Sequence, residues 1–267
     1  MAAICDDPAM ARVALVTGGG TGIGAGVARR LAATGYRVAV NGRRPEPLRA
    51  VADEIGGVAV AGDMAVPEVA ARVVDETIAT LGGLDALVLN AGISRSGSVL
   101  DQTPDSFAAV LAANLVGPFL VARAALPHLI ERRGAIVAVA SQAGLQAGPD
   151  SSAYCTSKAG LIMLVKTMAL DFGPSGVRAN AVCPAWVRTA MGDAAMDGLA
   201  AARGTDREEA YRFANRLVPQ RRPGEVDEVA AAVCWLLSDE ASYVNGVALS
   251  VDGGGAVVDV GLSFDDR

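Results

Sequence analysis

Seven short apolar runs recur along the chain, separated by longer stretches with helical spacing. They are Arg12-Val-Ala-Leu-Val-Thr, Tyr36-Arg-Val-Ala-Val-Asn, Val58-Ala-Val-Ala, Leu84-Asp-Ala-Leu-Val-Leu, Ala135-Ile-Val-Ala-Val-Ala, Val177-Arg-Ala-Asn-Ala-Val-Cys and Val247-Ala-Leu-Ser-Val. Strands that alternate with helices are joined by crossovers, and crossovers make a parallel sheet. That pattern limits the chain to an α/β architecture, whose ligands bind beyond the carboxyl ends of the strands.

The first run leads directly into Gly18-Gly-Gly-Thr-Gly-Ile-Gly and then an amphipathic pattern through Leu31. Gly18, Gly22 and Gly24 permit a tight turn and a close backbone approach. The helix that follows presents free N–H groups to a pyrophosphate. A glycine cluster alone is a weak signal, but strand, turn, helix and second strand in that order read as a dinucleotide site. Cofactor choice is normally set at the end of the second strand, where an acidic residue bonds the adenosine ribose 2′-hydroxyl and repels a 2′-phosphate. Gly42 occupies that position, and Arg43 and Arg44 follow it. Guanidinium groups suit bidentate phosphate recognition, so NADP(H) is expected over NAD(H). Asp63, after the third run, is placed to meet the adenine, and the small residues of Asn90-Ala91-Gly92 let the backbone approach a ligand.

Chemistry is expected within residues 141–158. The fifth run delivers Ser141 to its carboxyl end, and Tyr154 and Lys158 stand four residues apart at the start of a helix, on one face. An ammonium beside the phenol favours tyrosinate; lowering the Tyr154 pKa from ~10 to ~7 takes roughly 4 kcal/mol, to be supplied by the lysine together with an oxidised nicotinamide. On its own, Tyr-x-x-x-Lys also fits an ordinary surface pair.

Composition narrows the classes. A formal net charge of -6 argues against nucleic acid. Cys5, Cys155, Cys183 and Cys234 lack metal or disulfide spacing, and the single histidine, His128, lies in an apolar helical pattern. Metal ligation and Ser-His-Asp chemistry are therefore not expected. The apolar stretches look too interrupted for a membrane span, and residues 1–7 lack the features of a signal peptide, so the expectation is a soluble cytoplasmic protein. No linker or internal repeat appears. The reading is one domain over 1–267, with a short extension at 1–11 and a substrate lid at 190–222.

Residues 103–132 and 159–170 are apolar nearly all round, whereas a helix covering one face of a sheet shows a polar stripe. A second face buried against another subunit is expected. Pro118 has no N–H to give the Asn114 carbonyl, so the helix should bend there. The freed carbonyl either takes part in a water relay through Lys158 or merely accompanies the kink. Residues 191–220, rich in Ala, Met and charge, resemble a mobile lid more than a core element. Met191, Met196 and Phe213 hint at a partly hydrophobic substrate such as a cyclic ketone, a steroid-like ring or an acyl chain.

Taken together, Thr17-Gly-x-x-x-Gly-x-Gly24, Asp63, Asn90-Ala-Gly92, Asn114, Ser141, Tyr154-x-x-x-Lys158 and the segment from Pro184 to Thr189 resemble the short-chain dehydrogenase/reductase family. The match runs from Arg12 to Gly254. It implies a Rossmann-type, doubly wound, seven-stranded parallel sheet with helices on both faces. It further implies Tyr154 as general acid or base, Ser141 bonding the substrate oxygen, Lys158 gripping the nicotinamide ribose and Asn114 completing a tetrad. The cofactor contacts it implies are Gly18, Thr21, Gly22, Ile23, Gly24, Arg43, Arg44, Asp63, Met64, Asn90, Ala91, Gly92, Tyr154, Lys158, Pro184, Val187 and Thr189. Ala185 departs from the family's glycine after the proline. The expected activity is NADP(H)-dependent hydride transfer between nicotinamide and a ketone or secondary alcohol, in a homotetramer. The alternatives left open are an NAD(H)-dependent enzyme of the same family and a non-catalytic NADP(H) sensor on the same fold.

Overall fold

Each of the seven apolar runs forms a strand in the computed structural model, which describes residues 11–259. The strands are β1 (Val13–Thr17), β2 (Arg37–Gly42), β3 (Val58–Ala61), β4 (Ala86–Leu89), β5 (Ala135–Val139), β6 (Arg178–Pro184) and β7 (Ala248–Val251). All pair in parallel, in the order β3-β2-β1-β4-β5-β6-β7. The helices are α1 (Gly22–Ala33), α2 (Pro45–Ile55), α3 (Pro67–Leu81), α4 (Pro104–Leu111), α5 (Gly117–Arg132), α6 (Ser152–Phe172), α7 (Ala190–Arg203), α8 (Arg207–Ala214) and α9 (Val226–Leu237). The extension expected over 1–11 lies, except for its last residue, outside the described residues, as does Cys5.

Alternate strand residues feed two cores. Leu15, Leu87 and Ile136 pack with Val73, Val121, Leu129 and Val165, from α3, α5 and α6. Val16, Val88 and Val137 face the other way, against Val27, Leu31, Leu48 and Val233, from α1, α2 and α9. A period of two thus serves both layers, which is why the strands read as continuous apolar runs. Truncating one of these side chains, such as the fully buried Leu15, costs about 2–5 kcal/mol. The strand order reverses between β1 and β4, and that switch point opens the crevice where ligands bind in such sheets.

Two expectations need correction. Residues 190–222 contain two capped helices, α7 and α8, packed through their own small core of Met196, Ala200, Ala210 and Tyr211. Thr189 caps α7 by accepting from Gly192 N at 3.1 Å, and Asp206 caps α8 by accepting from Glu209 N at 2.8 Å. The glycines at 192, 198 and 204 blur the periodicity, whereas these capping residues carried the readable signal. The second correction concerns membranes. The stretch Pro104–Arg132 is 29 residues long, with a mean hydropathy of 1.7 in its best window, long and apolar enough to cross one. The Asn and Gly residues read as interruptions carry no charge. In the fold, Val110, Val121, Ala122, Ala125 and Leu129 of this stretch are buried in protein.

Candidate active site

The glycine turn after β1 is fastened to the loop after β4. Thr17 Oγ1 donates to Val88 O at 3.0 Å and accepts from Asn90 N at 2.9 Å, while Asn90 Nδ2 donates to Thr17 O at 2.9 Å. Gly18 and Gly22 adopt φ of +64° and +55°, a region that disfavours side chains. A Cβ at Gly18 would stand 2.8 Å from Asn90 Nδ2, and one at Gly22 would stand 3.4 Å from Thr189 Cγ2. At Gly24 a Cβ would collide with Gly18 O and Asn90 Nδ2. Gly24 therefore serves close helix packing, and it does not line the cleft.

That cleft, about 1110 Å³, crosses the carboxyl ends of the central strands. Its wall includes Gly18, Thr21, Gly22, Ile23, Arg43, Arg44, Asp63, Met64, Asn90, Ala91, Gly92, Ser141, Tyr154, Lys158, Pro184, Val187 and Thr189. Of the residues expected in the site, only Gly24 and Asn114 are absent from it. At the β2 end, the exposed Arg43 and Arg44 have no ion pair or side-chain hydrogen bond among the described residues. A Cβ at Gly42 would meet only Leu48 at an ordinary 3.5 Å, so steric crowding does not explain the missing acid. Asp63 is exposed, with Oδ1 accepting from Ala65 N at 3.0 Å.

At the other end Ser141 follows β5, with Oγ accepting from Ala143 N at 3.1 Å. Tyr154 lies in the first turn of α6 and Lys158 one turn later, with its ammonium 5.7 Å from the Tyr154 ring centre. Lys158 is 3 % exposed and donates to Val139 O at 2.8 Å. Burial lowers its pKa to about 8. Burial also raises the Tyr154 pKa above that of an ordinary phenol, an effect the Ser141 side chain partly opposes by hydrogen bonding. Lys158 alone does not lower Tyr154: its ammonium gives one donor to the β5 carbonyl, and desolvation dominates the phenol. Next to Lys158, burial raises the Cys183 thiol to about 11.

Asn114 is fully buried, and its carboxamide is spent on structure. Oδ1 accepts from Ile93 N at 2.8 Å, while Nδ2 donates to Ile93 O at 2.9 Å and to Ser157 Oγ at 3.0 Å. Ser157 Oγ in turn donates to Tyr154 O at 2.8 Å. The loop after β4 is thereby tied to the turn of α6 that carries Tyr154. Sequence reasoning missed Ser157 and gave Thr17 no role beyond its place in the glycine motif; a lone hydroxyl ending the apolar run of β1 was the available signal for Thr17.

The lid residues divide. Met191 and Met196 reach the cleft, though Met196 is 1 % exposed and belongs mainly to the α7–α8 core. Phe213 is absent from the cleft wall; the Arg203 and Arg216 guanidinium groups lie 3.5 and 4.0 Å from its ring centre. The hint that Phe213 contacts substrate is corrected accordingly. Trp186, which sequence reasoning passed over, lines the cleft at 41 % exposure.

Comparison with known proteins places this geometry among relatives. Residues 18–255 match the family described as enoyl-(acyl carrier protein) reductase. Protein MoaE of Klebsiella aerogenes is 42% identical over 255 residues, covering 94% of this chain and 98% of that protein. The crystal structure of levodione reductase superimposes with a TM-score of 0.89 at 31% identity, covering 93% of this chain and 98% of that one. The 3-ketoacyl-(acyl-carrier-protein) reductase from Brucella melitensis, solved as a complex with NADH, gives 0.83 at 29% identity, over 92% and 98% of the two chains.

Proposed function

The chain belongs to the short-chain dehydrogenase/reductase family, and on that premise we propose that it is an NADP(H)-dependent oxidoreductase interconverting ketones and secondary alcohols. The observation that carries the reading is one cleft with a glycine cradle and two unpaired arginines at one end, and Ser141, Tyr154 and Lys158 at the other. The cradle fits a dinucleotide, since side chains at Gly18, Gly22 or Gly92 would fill the space it needs: a Cβ at Gly92 would stand 3.1 Å from Asn114 Oδ1 and 3.6 Å from Lys158 Nζ. Gly18, Thr21, Gly22 and Ile23 would hold the pyrophosphate, Arg43 and Arg44 the 2′-phosphate, and Val187 and Thr189 the nicotinamide. The bound nicotinamide supplies the hydride exchanged with the carbonyl carbon.

The chain's own residues handle the proton. Tyr154, kept neutral by burial, gives its hydroxyl proton to the carbonyl oxygen in reduction and takes it back in oxidation. Ser141 orients that oxygen from the end of β5. Lys158 keeps donors to spare after bonding Val139 O, and these serve the ribose. Asn114 and Ser157 act as positioning residues. A homotetramer in the cytoplasm completes the proposal, supported by apolar exposed faces and by free thiols at Cys155, Cys183 and Cys234.

NADPH oxidation against a panel of ketones, quinones and acyl thioesters tests the activity. Tyr154→Phe should lower kcat by about 10²–10⁴-fold with little change in cofactor affinity, since only the transferable proton is removed. Turnover close to that of the unmodified protein would overturn the role of Tyr154, whereas no turnover by the unmodified protein across the panel, with NADPH bound, would favour a sensor. Tighter binding of NADH than of NADPH in direct titration would overturn the NADP(H) part alone.

A further inference from the structure

A second cavity, of about 290 Å³, lies behind the cleft. It shares two wall residues with it, Ala185 and Trp186. The backbone around Trp186 is pinned. Its carbonyl accepts from Gly224 N at 2.8 Å, Arg188 N donates to Gly224 O at 3.0 Å, and Ala185 N donates to Val251 O at 3.4 Å. The indole is free by comparison, 41 % exposed and without a hydrogen bond among the described residues. Trp186 thus borders both spaces from a fixed backbone, and its side chain belongs to none of the buried cores.

The second space is polar. Asn215, Gln220, Arg222, Glu228 and Ser250 contribute to its wall. Arg222 is satisfied there, with Nη1 at 2.8 Å and Nη2 at 2.7 Å from the Glu228 carboxylate, and Nη2 at 3.1 Å from Gln220 Oε1. Asp252 adds a second carboxylate to the wall, its oxygens accepting from Gly254 N at 3.0 Å and Ala256 N at 2.7 Å, so with Arg222 paired to Glu228 the chamber offers no free positive charge for an anion. Gln220 Nε2 and Ser250 Oγ make no hydrogen bond among the described residues and remain to serve a neutral polar group.

We propose that Trp186 is the wall that sets substrate length, and that the chamber behind it accepts a neutral hydroxyl or carbonyl group at the far end of a longer substrate. This rests on the oxidoreductase reading above. The unmodified enzyme then prefers ketones of about one ring, and shortening Trp186 joins the two spaces.

The test compares cyclohexanone with 6-hydroxy-2-tetralone as substrates for the NADPH-loaded protein and its Trp186→Ala variant. Expected is a rise of at least about tenfold in the kcat/KM ratio of the two-ring over the one-ring ketone, a span within reach of pocket contacts. An unchanged ratio overturns the proposal. Trp186→Phe should give an intermediate ratio, and NADPH affinity, measured by titration, reports that the variants are folded. If neither ketone is turned over by any form, the oxidoreductase reading fails, and calorimetric titration of 6-hydroxy-2-tetralone decides the role of Trp186 separately. Binding at least about tenfold tighter to Trp186→Ala than to the unmodified protein supports it, and equal binding overturns it.

Discussion

Lys158 carries its ammonium inside the fold, with the Val139 carbonyl as its protein partner. A lysine held at about 8 instead of 10.5 costs about 3 kcal/mol of stability at neutral pH, because the unfolded chain binds its proton more tightly. The sign follows directly. The penalty is complete below pH 8, and it is relieved as pH rises toward 10.5, where both states lose the proton. Lys158→Met removes this penalty together with the bond to Val139, so unfolding should be measured for both proteins across pH 7–10. The unmodified protein should gain on the variant as pH rises; parallel curves would contradict the burial cost. Activity should be lost in the variant at every pH. The residue types and their spacing were legible in the sequence, and the cleft gathers nearly all of them. Their electrostatics were not, because a one-turn spacing says nothing about which carbonyl the ammonium meets or how dry the phenol becomes.

Between α4 and α5 the helix passes through a π-helical turn at Ala112–Val116, with Gly117 N–H donating to Ala112 O, five residues back. This wider turn directly precedes Pro118: without an N–H at 118 the α-register fails, and a π turn accommodates the mismatch. Asn114 lies within it, fully buried against Ile93 and Ser157. Pro118→Ala restores the missing donor and lets the regular register compete, which would swing the Asn114 carboxamide away from Ile93. The expected result is a several-fold lower kcat with cofactor affinity unchanged, since an aligned proton-transfer group contributes about 10²–10⁴-fold and a partial misalignment forfeits part of that. Steady-state kinetics beside an NADPH titration checks it; equal loss of both would mean that the cleft itself had collapsed. A missing donor was visible in the sequence. That the chain would answer with a π turn was not, because the choice depends on Ile93 and Ser157, which are distant in sequence and adjacent only after folding. The two helices within residues 190–222 escaped for a related reason, since α7 and α8 are held by each other and their glycines hide the helical period.

At the scale of the whole molecule, two of the exposed apolar groups among the described residues bear on assembly. Val116, Phe119, Met163 and Leu170 are exposed on the stretch from the π turn through α6, with Leu170 at 78 %. At the other end, β7 is one of the two edge strands of the sheet, opposite β3, and Trp235 and Tyr243 are also exposed. A tetramer with closed dihedral symmetry needs two distinct self-complementary faces, whereas a dimer needs only one. Two separated apolar faces therefore favour four copies, and edge strands left bare invite pairing. Light scattering at micromolar concentration should give about four times the chain mass of 27.0 kDa. A charge in one face should break only that contact, because burying an unpaired carboxylate costs several kcal/mol per copy. Leu170→Glu is then expected to yield dimers that keep the cleft intact and still bind NADPH, with the β7 face holding the remaining pair together. A monomeric mass for the unmodified protein would refute the assembly. A tetramer unmoved by Leu170→Glu would show that the face on α5 and α6 is not the one that pairs.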